Sequence, residues 1–146
     1  MRRPSKEVRF KRIAAKILGQ DKMTDAQGGM PTKSVVPVDE DAPESEVTKL
    51  CNSWLERHGC VMDRLNNGAG MLGYSRSFLA YGIIGGGDMV GMLPCGKHLE
   101  VEYKKGKGGR LSRSQLKRMA RVHRGKGLYI VVHGVPELEH KLKGYL

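Results

Sequence analysis

The tightest constraint on the fold lies between Asp88 and Lys104, where two extended stretches flank the turn-forming run Pro94-Cys95-Gly96-Lys97. In Leu99-Glu100-Val101-Glu102-Tyr103-Lys104 apolar and polar residues alternate. A strand would therefore put Leu99, Val101 and Tyr103 on one face and Glu100, Glu102 and Lys104 on the other. Hydrophobic pattern sets strand register, because a slip of one residue turns every side chain over. A three-residue turn, Pro94-Cys95-Gly96, sets Leu93 opposite Lys97, pairs Met89 with Val101 and Gly91 with Leu99, and leaves Asp88 beside Glu102. A four-residue turn would face Met89 with Glu102 and mix the two faces. The pattern thus predicts a β-hairpin that brings two carboxylates side by side, with a lysine two residues beyond.

Around that hairpin, residues 41–146 read as one α/β domain. Pro43 and Ser45 suit the first turn of a helix and Gly59 its C′ position. Val47, Leu50, Cys51 and Trp54 recur between them at i, i+3, i+4 and i+7, a helical stripe. Residues 60–65 read as a strand closed by the turn residues Asn66-Asn67-Gly68, followed by an irregular Gly-rich stretch as far as Gly87. Ser112-Arg-Ser-Gln115 is a capping box opening a basic helix that Gly125 ends. Leu128-Tyr-Ile-Val-Val-His133 predicts a buried strand, and a short helix follows over 136–143. The resulting order is α-β-β-β-α-β-α, without internal repeats. Residues 1–40 read as a basic N-terminal arm and linker: Lys6–Leu18 as an amphipathic helix with Val8, Ile13 and Ile17 on one side, then an aperiodic Gly/Asp/Thr/Pro-rich stretch.

Charge narrows the partners. The 146 residues carry 26 Lys and Arg against 15 Asp and Glu, a net +11. Residues 104–126 hold ten of the bases and no acid, whereas 35–46 hold five acids and no base. Phosphate neutralisation with counterion release makes a polyanion the expected partner. No apolar run approaches the ~18 residues of a membrane span. Three cysteines without CxxC spacing point to reduced thiols in a cytoplasmic setting.

Two carboxylates a strand apart suit a hard divalent cation, which takes a few carboxylates and keeps several waters. Such an ion can activate water and stabilise charge on a phosphodiester, and a lysine can meet the developing charge. With this device in view, the chain resembles the VRR-NUC branch of the PD-(D/E)XK nucleases. The resemblance rests on Glu46, on Arg64-Leu-Asn-Asn-Gly68, on Gly85-Gly-Gly-Asp88, on Val101-Glu-Tyr-Lys104 and on Gly109-Arg-Leu-Ser-Arg-Ser-Gln115. It spans residues 43 to 135. It implies a restriction-endonuclease-like α/β core with a mixed sheet flanked by helices, and a Mg²⁺- or Mn²⁺-dependent endodeoxyribonuclease. Asp88 and Glu102 would be metal ligands, Lys104 the catalytic lysine, Glu46 a further acid near the metal, and Gln115 a helix residue facing the site. The proline that usually precedes the motif aspartate is Gly87 here, a change in a backbone device and not in a ligand.

Each assignment has a plainer rival. Glu100 shares the face of Glu102, Glu44 competes with Glu46, and Gln115 is also the capping partner of Ser112. Lys105, Lys107, Arg110, Arg113, Lys117, Arg118 and Arg121 are assigned to DNA phosphates, against an ordinary solvated face; no acids interleave to form the usual i, i+4 pairs. Cys51, His58 and Cys60 match no standard zinc spacing. At the level of function, the resemblance points to a structure-selective nuclease acting on branched DNA. Small stand-alone members are associated with two-fold dimers resolving four-way junctions, which makes a homodimer expected here. Tyr74, Phe78, Leu79 and Tyr81 are candidates for its interface. A non-catalytic basic nucleic-acid-binding protein is the alternative.

Overall fold

The computed structural model describes residues 3–18, 27–66, 68–72 and 77–146. Its elements in chain order are α1 (Lys6–Leu18), β1 (Met30–Pro31), α2 (Glu44–Arg57), β2 (Val61–Arg64), β3 (Gly68–Leu72) and β4 (Ser77–Tyr81). They continue with β5 (Met89–Met92), β6 (His98–Tyr103), β7 (Arg110–Leu111), α3 (Arg113–Arg124), β8 (Leu128–Val132) and α4 (Val135–Leu142). A four-stranded mixed sheet runs β2-β5-β6-β8, with β6 and β8 parallel and the other pairs antiparallel. A parallel pair needs a crossover, and α3 supplies it. The hairpin has the register anticipated from its apolar residues: Met89 pairs with Val101, Gly91 with Leu99, and the Leu93 N–H donates to Lys97 O at 2.9 Å.

Alternation along the central strands builds two cores. Leu99, Val101 and Tyr103 of β6 join Leu128, Ile130 and Val132 of β8 against Val47, Cys51, Trp54 and Leu55 of α2 and Leu138 and Leu142 of α4. On the other side, Tyr129 and Val131 meet Leu116, Met119, Ala120 and Val122 of α3 and Ala15 and Leu18 of α1. A sheet covered on both faces leaves no solvated side, so Glu100 and Glu102 are buried where one-sided alternation would have exposed them.

Four local expectations change. Leu50 is 49% exposed, and Leu55 takes its place among the buried residues of α2. The segment read as an arm packs: α1 buries Ala15 and Leu18 against α3, although Val8 stays exposed. The segment read as linker carries β1, whose Met30 is fully buried beside Leu111, and Thr32, whose N–H donates to Gly109 O at 3.0 Å. Finally, the stretch read as irregular contains the hairpin β3–β4, which glycine-rich composition concealed. Of the proposed interface residues, Tyr74 lies outside the described residues and Phe78, Leu79 and Tyr81 fall on β4.

Candidate active site

One step beyond the Met89–Val101 pair, Asp88 stands opposite Glu102 at the mouth of a polar cleft of about 550 Å³. Arg64, Leu65, Asn66, Gly86, Gly87 and Gln115 complete its lining. The sheet fixes both acids. The Tyr103 N–H donates to Asp88 Oδ2 at 2.8 Å, and the Leu65 N–H donates to Asp88 O at 2.9 Å, tying the start of β5 to both neighbours. Glu102 Oε1 accepts from Lys104 Nζ and from Gln115 Nε2, each at 2.7 Å. Gln115 therefore closes the cap and bonds Glu102 at once. Its Oε1 accepts from the Ser112 N–H at 2.8 Å, closing the capping box, while its amide nitrogen reaches the acid.

The two glutamates of β6 are distinguished by their neighbours. Residues two apart on a strand are separated by roughly 6.6 Å and residues three apart on a helix by roughly 4.5 Å, so one turn of α3 can serve both. Gln115 meets Glu102, and Arg118 meets Glu100 through Nε at 3.0 Å and through its terminal nitrogen. His98 at 2.9 Å and the Gly87 N–H at 3.3 Å complete the shell of Glu100. Burial pushes the Glu100 carboxyl up, but the bonds from Arg118 and His98, the Arg118 charge and the Gly87 amide together hold it below the ordinary range. Glu102 moves the other way. Burial and the Asp88 charge raise it, and Lys104 and Gln115 offset only part of this. Such an acid pair gains from a cation between its members. The hydrogen bonds described occupy Oδ2 of Asp88 and Oε1 of Glu102, and Oδ1 and Oε2 carry none of them. This donor set fits Mg²⁺ or Mn²⁺ with waters completing the shell. Among the described residues, no three His, Cys, Asp or Glu side chains gather closely enough to hold a metal by themselves.

Glu46 is not brought to the cleft. It lies exposed in the first turn of α2, which covers the sheet face opposite the glutamates, and its rival Glu44 is exposed too. The basic series does not form one strip. Lys105 is exposed just after β6, and Lys107 sits 3.2 Å from Glu40 at the surface. The side chains of Arg110 and Arg113 lie along Gly28 and Gly29, Arg118 is committed to Glu100, and Lys117 and Arg121 are exposed beside Ile83 and Ile84. Arg64 and Asn66 line the cleft, although the sequence pattern gave neither a role; their position in the Arg64–Gly68 motif was the signal that could have found them. Cys51 and Cys60 are buried in the core beside α2. Among the described residues, no helix is long and apolar enough to cross a membrane. Comparison with known proteins adds no relative, since no family model, no curated protein and no solved structure matches this chain.

Proposed function

We propose that this chain is a Mg²⁺- or Mn²⁺-dependent endodeoxyribonuclease of PD-(D/E)XK build, acting in the cytoplasm on branched DNA as a homodimer. The observation that carries the reading is the Asp88–Glu102 pair in a cleft lined also by Gln115 and Arg64, with Lys104 Nζ 2.7 Å from Glu102. Asp88 and Glu102 would hold the metal, which when bound supplies Lewis acidity and an activated water. Glu102, locked by Lys104 and Gln115, keeps its second oxygen available for that ion. Lys104 is 13% exposed, close enough to the cleft to meet charge building on a phosphodiester oxygen. Arg64 offers a second cation to the flanking phosphate. Asp88 and Glu102 oppose simple phosphate binding, so a purely electrostatic binder has no use for them.

The test is incubation with a fixed four-way junction, a 5′ flap and a plain duplex, in Mg²⁺, in Mn²⁺ and in chelator. Metal-dependent cutting of the junction, lost in Glu102→Gln, is the expected outcome. Tight binding of every DNA with no cut under any metal would establish the non-catalytic alternative. A monomer by light scattering that cuts flaps faster than junctions would retain the nuclease and remove the junction resolvase.

A further inference from the structure

We propose that Ile84 is an apolar wedge that enters the base stack of bound DNA beside the cleft. Ile84 is 81% exposed, the most exposed of the large apolar side chains described. Its turn is held firmly. The Gly86 N–H donates to Ile83 O at 2.9 Å, and Tyr129 Oη donates to Gly85 O at 3.1 Å. Gly85 has φ +76° and packs against the Ser114 carbonyl in the first turn of α3, where a Cβ would collide. Gly86 and Gly87 are buried, and Gly87 bonds to Glu100. The turn therefore holds an isoleucine out in water on a braced backbone, at a cost that folding does not require. Its surroundings identify what would cover it. Ile83 and Ile84 share a cleft of about 590 Å³ with Ser114, Lys117, Arg118 and Arg121. An apolar tip flanked by Lys117 and Arg121 is complementary to a base step beside its phosphates, and aliphatic wedges of this kind unstack and kink DNA. Ile84 precedes Asp88 by four residues, which limits their separation to roughly 14 Å, about four nucleotides along one strand. The inference rests on the DNA-binding part of the function proposed above and deepens it. Distortion at a fixed offset from the metal site would favour DNA that is already bent or unstacked.

The test places 2-aminopurine at successive positions through a four-way junction and a plain duplex, with the full chain at saturation in EDTA so that no strand is cut. Wild-type protein should raise fluorescence at one or two adjacent positions. Ile84→Ser should abolish the rise with DNA still saturated, and Ile84→Met should restore it. An unchanged signal in Ile84→Ser, or no responding position with wild type, overturns the wedge. Adding Mg²⁺ then separates the two proposals. Ile84→Ser should cut an intact duplex roughly tenfold more slowly, with a smaller loss on a bulged duplex, and wild-type cuts should fall within about four nucleotides of the unstacked step. A wild-type protein that unstacks DNA and never cuts it would remove the nuclease and leave the wedge standing. An unstacked step farther from the cut than that would overturn the wedge as placed here.

Discussion

Glu100 and Glu102 lie two residues apart on β6 and are both buried, yet replacing them should produce opposite signatures. Glu100→Gln removes the charge that Arg118 and His98 surround, leaving a guanidinium only 16% exposed without its partner. Breaking one side of a buried pair costs about 3–5 kcal/mol, so urea unfolding should show a large loss of stability. Glu102→Gln removes a carboxylate that burial and Asp88 already disfavour. That variant should unfold at about the wild-type urea concentration while losing cleavage, as should Asp88→Asn. Lys104→Ala should lose cleavage and also lower the urea midpoint, because it strands the buried Glu102 carboxylate. DNA binding should survive in all three, measured by fluorescence anisotropy, and in the two acid variants the lost carboxylate also removes a repulsion of phosphate. Glu137 carries a pH signature. Burial pushes its carboxyl up, but the His133 hydrogen bond and the Lys141 ammonium outweigh burial and hold it at about 2, against an ordinary 4.5. A folded-state value below the unfolded one means stability fully present above 4.5 and lost as pH falls through that value towards 2. The loss should be roughly 3 kcal/mol. Glu137→Gln should flatten the curve of urea midpoint against pH in that window.

At the scale of the element, α3 joins two jobs through one amphipathic pattern. Its inner face carries Leu116, Met119 and Ala120 into the core and presents Gln115 and Arg118 to the acids, while Lys117 and Arg121 face solvent. Its cap is coupled to the site, because Gln115 bonds Ser112 and Glu102 with the two ends of one amide. Ser112→Ala should cost about 1 kcal/mol of stability. It takes away the hydroxyl that accepts from the Gln115 N–H at 3.2 Å, and by loosening the turn that carries the Gln115 side chain it should also lower cleavage more than binding. The outer face predicts a split among residues that look alike in the sequence. Lys117→Ala and Arg121→Ala should weaken binding to all DNAs alike. Each duplex phosphate that a variant no longer neutralises should reduce the slope of log affinity against log salt by about 0.9. Arg118→Ala should instead lower the urea midpoint, because its partner is the buried Glu100.

For the molecule as a whole, the N-terminal helix is the informative part. Leu18 and Ala15 of α1 cover Leu116, Met119 and Ala120 of α3, so the face of the sheet that bears the acids is closed partly by residues remote in sequence. Removing residues 1–18 should uncover that core, lower the melting temperature and bind a hydrophobic dye such as ANS. A free arm would leave both measurements unchanged and alter only DNA affinity.

Local pattern alone determined a large part of this protein. The hairpin register followed from alternation in 99–104, because only one register keeps Met89 with Val101 and away from Glu102. The bounds of α2 and α3 followed from Pro43, Gly59, Ser112 and Gly125, whose backbone and capping chemistry acts over a few residues. What lay beyond local pattern was which side of each element is covered, because that is set by elements distant in the chain. Nothing within 99–104 says that α3 will seat Arg118 on Glu100 and Gln115 on Glu102, so only the hairpin register and the spacing to Lys104 separated the two acids. Nothing within 44–57 says that Leu50 will be exposed and Leu55 buried, and the placement of Glu46 depended on that. The same holds for α1, where an amphipathic face does not say whether phosphate or another helix will meet it. Burial is a property of pairs of surfaces, and only the folded chain brings the second surface into place.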